Sequence, residues 1–106
     1  MGGDVMRNLS DIVDTSGLRG GERLEMAPGE VRSFHMVFFR EREGAWGRYW
    51  VVELREPENG RYFYLTSNSR PFREVMERLR EKVGEGVVDP PIKVTLKKVG
   101  RMLFIY

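Results

Sequence analysis

The side chains best equipped for chemistry in this chain are its aromatics and its arginines. Rings at Phe39, Trp46, Tyr49, Tyr62 and Tyr64 lie among Arg40, Arg42, Arg48, Arg55 and Arg61. Flat rings stack on unpaired bases, and guanidinium groups take phosphates. Other chemistries find little support. Cysteine is absent, which removes disulfides, thiolate zinc sites and thiol catalysis. His35 is the single histidine, too few for a zinc site of the usual kind. On a strand face it reads as a satisfied or stacking residue, not a ligand or base. The acids Glu74 and Glu77 pair with Arg78 and Arg73 at helical spacing, as surface ion pairs do. Nothing has the spacing of a phosphate loop. Acid clusters suited to Mg²⁺ are missing from the expected strand ends. The expectation is a protein that is not an enzyme, with no cofactor, no metal and no small-molecule substrate.

Those rings and cations need elements to hold them. Val5, Met6, Leu9, Ile12 and Val13 form one stripe of a short amphipathic helix over residues 4–13. Gly17, Gly20 and Gly21 break it, giving a flexible joint over 14–21. A short alternating run follows at Arg23-Leu24-Glu25-Met26, then strands over 31–40, 48–55 and 61–66. The glycines at 44 and 47, and Pro57 to Gly60, supply the turns. Ser69-Arg70-Pro71 opens a helix, with Ser69 as N-cap and Pro71 in the first turn. Phe72, Val75, Met76, Leu79 and Val83 make its buried stripe, and Gly84 ends it. After Asp89-Pro90-Pro91 come strands over 92–98 and 101–106.

Turn positions fix which residues face each other. A two-residue turn at Asn59-Gly60 pairs Leu54 with Leu65 and Arg55 with Tyr64. Trp50, Val52, Leu54, Phe63 and Leu65 then share a core face. Tyr49, Val51, Glu53, Arg55, Tyr62, Tyr64 and Thr66 share the other. With Phe34, Met36 and Phe38 inward, His35, Val37 and Phe39 join that second face. A turn at Val99-Gly100 pairs Lys98 with Arg101, and Leu96 with Leu103. It adds Lys93, Thr95, Lys97, Met102, Phe104 and Tyr106 to the second face. That face is therefore aromatic and basic where a one-layer antiparallel sheet is ordinarily polar. An apolar patch of this kind marks a partner surface. The alternative is that the N-terminal helix or a second subunit covers it. Trp46, flanked by glycines at a hairpin tip, either swings over a base or folds back on the sheet edge.

Several of these segments resemble the PUR repeat. They are Ser33-Phe34-His35-Met36-Val37, Gly47-Arg48-Tyr49-Trp50-Val51-Val52, Phe63-Tyr64-Leu65-Thr66 and Pro71-Phe72-Arg73-Glu74. The likeness runs from Arg23 to about Val83. It implies four antiparallel strands and one helix, a dimer, and binding of single-stranded DNA or RNA. The family's polar positions before Gly-Arg are replaced here by Glu43-Gly44-Ala45-Trp46, so its polar base contacts do not carry over. The hairpin over 92–106 lies outside the repeat. The element order over 31–106 is also that of an OB-fold barrel. The composition is similar to that of the small archaeal single-stranded DNA-binding proteins called ThermoDBP.

Length and composition set the frame. The 106 residues suit one domain: an N-terminal helix and joint over 1–21, and a sheet, helix and hairpin over 22–106. Apolar content of 41% and charged content of 32% suit a folded, soluble chain. No apolar run approaches the roughly 20 residues of a membrane span. The start, MGGDVMRNLSDIVDTSG, has no secretory pattern, so a cytoplasmic protein is expected. The absence of Gln and the excess of Arg over Lys are thermophile-like. Residues 1–30 carry three basic groups against six acids, and residues 31–106 carry 15 against 10, so the body is basic.

Together these features predict an α+β fold: a curved antiparallel sheet of four to six strands, one amphipathic helix on one face and a short N-terminal helix. The alternative is the OB barrel. The expected function is binding of single-stranded DNA or RNA, DNA favoured, with little sequence preference, by a homodimer with no membrane role. Phe39, Trp46, Tyr49, Tyr62 and Tyr64 would stack bases. Arg48, Arg55, Arg61, Lys93, Lys97 and Arg101 would take phosphates. The rival is an assembly or adaptor module that buries the same face against protein.

Overall fold

The computed structural model describes residues 21–106. The helix expected over 4–13 and most of the joint that follows lie outside them. The described elements are β1 (Glu22–Arg23), β2 (Val31–Gly44), β3 (Gly47–Arg55), β4 (Tyr62–Ser67), α1 (Arg70–Val83), β5 (Gly86–Val99) and β6 (Met102–Ile105). They form one curled six-stranded sheet in the order β1-β4-β3-β2-β5-β6. All pairings are antiparallel except β1 with β4, which is parallel. The fold is α+β, as the sequence predicts. Among the described residues the sheet stays open, with β1 and β6 at its two edges, a half-barrel and not a closed OB barrel.

The core lies between one sheet face and α1. Phe34, Met36, Phe39, Trp50, Val52, Leu54, Phe63, Leu65, Leu96 and Ile105 line the sheet side. Phe72 and Met76 are buried from the helix, with Val75 and Leu79 packed beside them. The helical stripe ends there. Val83, at the last position before Gly84, is 56% exposed and not part of the core.

The helix start departs from the expected cap in one respect. Ser69 has the extended backbone of an N-cap, but its hydroxyl makes no capping bond. Its Oγ instead donates to the Leu103 carbonyl at 2.7 Å, and the Leu103 amide reaches it at 3.3 Å. One hydroxyl thus ties the first turn of α1 to the edge strand β6. Ser69→Ala is expected to lower stability by about 1–3 kcal/mol, because it strands partly buried backbone groups. A denaturant midpoint that does not move would show that this tie contributes nothing.

Both hairpins differ from the sequence expectation by two residues. Arg55 pairs with Tyr62 and Leu54 with Phe63, across a loop over 56–61. That loop is closed by Glu56 N–H to the Arg61 carbonyl at 2.7 Å and by Gly60 N–H to the Glu56 carbonyl at 2.9 Å. Val99 pairs with Met102, so the β5–β6 turn holds Gly100 and Arg101, not Val99 and Gly100. A slip of two preserves every face, because side chains alternate with period two.

The bulge in β2 has the opposite effect. Met36 pairs with Leu54 and Ile92, but Phe38 pairs with Glu53 and Val87. Val37 is the extra residue, and 88–91 have no partners on β2. Pro90 and Pro91, which lack amide protons, sit in that gap. Strand β5 therefore begins at Gly86, before the proline pair and not after it. The bulge inverts the alternation beyond it. Phe39 turns into the core and Phe38 turns to the second face, the reverse of the expected assignment.

Candidate nucleic-acid interface

Register sorts the second face into rows across the strands. One row runs Lys93, His35, Arg55, Tyr62 through β5, β2, β3 and β4. Arg55 Nη2 lies 3.2 Å from His35 Nδ1. A guanidinium only donates, so Nδ1 accepts and the ring proton sits on Nε2 in this arrangement. Arg55 Nε is buried with no hydrogen-bond partner among the described residues. Beside this row is a groove of about 320 Å³ lined by Val37, Arg55, Tyr62, Val87, Asp89 and Pro91, among others. Toward β6, Lys97 lies opposite Val31 and Phe104. Lys93 and Lys97 are exposed and have no ion-pair partner among the described residues.

The middle of the face is closed. The next row joins Phe38, Glu53 and Tyr64, and the one after joins Arg40, Val51 and Thr66. Val37, Phe38 and Val51 are buried, and Glu53 is 1% exposed. The Arg40 guanidinium lies 5.4 Å from the centre of the Phe38 ring. The uninterrupted exposed aromatic face expected from sequence is therefore corrected. The tyrosines Tyr49, Tyr62 and Tyr64 are half-buried around a filled centre.

A second open region lies at the β2–β3 turn. Gly44 pairs with Gly47, leaving Ala45 and Trp46 as the turn, and Trp46 is 96% exposed. A Cβ added at Gly44 would come within 3.1 Å of Tyr49 Cε1, so the ring lies against the glycine. Trp46, Arg48 and Tyr49 line a groove of about 320 Å³ whose far wall is Thr66, Ser67 and Asn68. The Arg48 guanidinium is 3.6 Å from Glu41, and its side chain is 68% exposed. Glu41 is held more closely by Arg80 at 2.7 Å, and Arg80 also bonds Glu85 at 3.2 Å. The hydrogen bond from Glu41, then that from Glu85, hold the Arg80 pKa above its ordinary value. Arg80 is thus a committed structural cation, and Arg48 is the spare one.

The five proposed stackers and six proposed cations do not all meet. Trp46, Tyr49, Arg55, Tyr62, Tyr64, Lys93 and Lys97 share the second face or its rim. Arg48 alternates with Tyr49 to the helix side, beside Glu41, and joins the others only as part of the lining of the turn groove. Phe39 does not: it is fully buried, with its ring centre 5.9 Å from that of Trp50. The β2 bulge is the cause. Arg61 does not either. It precedes Tyr62 and so points to the opposite side, bonded to Glu22 at 2.5 Å and stacked 5.1 Å from the Phe63 ring centre. Arg101 sits in the β5–β6 turn and lines a different groove, with Arg23 and Lys98.

The phosphate-binding set expected from sequence left out two of the arginines that lie beside the rings. Arg40 and Arg42 lie on the second face, opposite Val51 and Tyr49. The strand was expected to stop at residue 40, but it runs to Gly44. The signal was present: Arg40-Glu41-Arg42-Glu43 alternates in charge with period two. Such a run puts the arginines on one face and Glu41 on the helix side, where Arg80 meets it.

No protein-family model, no curated protein and no solved structure matches this chain. No helix among the described residues is long and apolar enough to cross a membrane.

Proposed function

We propose that this chain binds single-stranded nucleic acid, DNA or RNA, through the second face of its sheet. The observation that carries the reading is the row Lys93–His35–Arg55–Tyr62, cations running into a tyrosine across four strands. The Trp46–Arg48–Tyr49 corner repeats the combination at the other end of β3. The two regions are about 20 Å apart along that strand, at about 3.3 Å per residue. Backbone phosphates would meet Lys93, Lys97, Arg55 and Arg48. Bases would stack on Trp46, Tyr49, Tyr62 and Tyr64. Stacking on rings reads no sequence, so little sequence preference follows.

Four phosphate contacts give a testable salt dependence. Log K should fall against log[salt] with a slope of roughly −3, at about −0.7 per contact for single strands. Replacing Lys93 and Lys97 together by Ala should bring the slope to roughly −1.4 by the same reasoning. A slope near zero in the unmodified protein would remove the electrostatic half of the proposal.

A second reading has its own observation. Met102 and Tyr106 are exposed on or next to β6, which is an edge strand with one open side among the described residues, and Val31 and Val99 are exposed close by. An unpaired edge of this kind accepts another strand. A homodimer or an adaptor contact formed there would use protein where the first reading uses nucleic acid. A sedimentation mass that stays monomeric at high concentration would exclude the dimer.

A further inference from the structure

Arg101 was singled out for phosphate binding, yet the sheet face does not contain it. It lies in a groove of about 330 Å³ between the chain after β1, the end of β4 and the β5–β6 turn. Three cations line this groove, Arg23, Lys98 and Arg101, against one carboxylate, Glu25. None of the three cations has an ion-pair partner among the described residues. The floor is different in character. Leu24 and Leu65 are buried there, with Met26 and Leu103 packed against the same core. Ser67 and Asn68 supply hydroxyl and amide groups on the β4 side.

The walls are fixed by backbone bonds. Leu24 N–H donates to the Tyr64 carbonyl at 2.7 Å. Gly29 N–H donates to the Lys98 carbonyl at 2.7 Å, and Lys98 N–H returns to Glu30 at 3.1 Å. A pre-formed site loses little freedom on binding. Its volume is at the low end of the roughly 300–1,000 Å³ of small-molecule sites. The lining is mostly polar, with a cationic rim and the half-buried side chains of Met26 and Leu103 as its accessible apolar surface, and at that size it fits one nucleotide held chiefly through its phosphate.

We propose that this groove binds a single nucleotide bearing a terminal phosphate, independently of the sheet face. Lys98 and Arg101, with Arg23, hold the phosphate. Met26 and Leu103, the half-buried apolar side chains of the lining, take one edge of the base. The same chemistry is offered by a free mononucleotide and by the phosphorylated end of a strand.

The test is calorimetric titration of the full chain with 2′-deoxyadenosine 5′-monophosphate and with deoxyadenosine, at low salt. The monophosphate is expected to saturate one site and the nucleoside to bind at least about tenfold more weakly, because it lacks the charge-assisted bonds. Lys98→Ala with Arg101→Ala should weaken the monophosphate by at least about tenfold for the same reason. Both positions are in or next to an open turn, and an unchanged melting temperature shows that the fold survives. Lys93→Ala with Lys97→Ala should leave the monophosphate affinity unchanged. Nucleoside binding as tight as the monophosphate, or loss that follows Lys93 and Lys97 instead, would overturn the proposal. So would failure of the monophosphate to saturate. A 5′-phosphorylated oligothymidylate that binds more tightly than its 5′-hydroxyl form, with the gain lost in the Lys98/Arg101 variant, identifies a strand end as the ligand. Equal affinities identify the free nucleotide. Long-strand binding by the sheet face is read separately, through Lys93 and Lys97.

Discussion

Phe39→Ala is expected to cost about 3–5 kcal/mol of folding stability, the range for an aromatic truncated inside a packed core. Phe39 is fully buried and packs on Trp50, itself fully buried. Its partner across β3 is Val52, and its partner on β5 is Gly86, which offers no side chain to collapse into the space. The cavity would therefore persist. Denaturant unfolding measures the loss directly, with the slope of the transition showing whether the native state stays compact. A loss under about 1 kcal/mol, the level of a surface substitution, would contradict the placement. It would mean that the β2 bulge does not turn Phe39 inward, and the ring would return to the candidate stackers.

Trp46→Ala combined with Tyr49→Ala carries the largest expected effect on binding. Each base–ring stack contributes about 1–3 kcal/mol by alanine substitution, so the pair should weaken single-strand affinity by at least tenfold. The two effects need not add, because both rings line one groove. Trp46→Ala alone should leave stability within about 0.5 kcal/mol of the parent, since the ring is almost wholly exposed. Tyr49 lies against Gly44, so its removal is expected to loosen the turn somewhat. Comparison with Tyr49→Phe, which keeps the ring, separates stacking from turn geometry. Retained affinity in the double variant would detach this corner from the interface, leaving the row at Tyr62.

Much of the fold was legible because alternation survives error. The pairing register of each hairpin was misplaced by two residues, yet Leu54, Leu65, Leu96 and Ile105 still fell inward. A two-residue slip cannot change a face. A one-residue insertion does, and Val37 is one. Nothing local marks it, because Met36-Val37-Phe38-Phe39 is apolar throughout and fits either phase. Its cause lies far off in sequence, at Pro90 and Pro91 on β5, which leave a gap in the ladder beside β2. The parallel pairing of β1 was equally hidden, since Glu22 and Arg23 are too few to show a pattern. For the candidate site, the tyrosines and lysines on regular strands were placed on the correct face. Arg61 and Arg101 opened their expected strands two residues before Phe63 and Leu103, so alternation already put them on the core side, and counting them with the second face went against that pattern.

The central claim is that unpaired bases meet the rings of the second face. Fluorescence anisotropy of the unmodified chain, titrated against a labelled single strand and a duplex of equal length at one salt concentration, tests it most directly. Rings stack only on bases that are free of a partner, so the single strand should bind at least about tenfold more tightly, one stack's worth of free energy. Duplex binding as tight as single-strand binding would contradict the account and reduce the face to a generic basic surface.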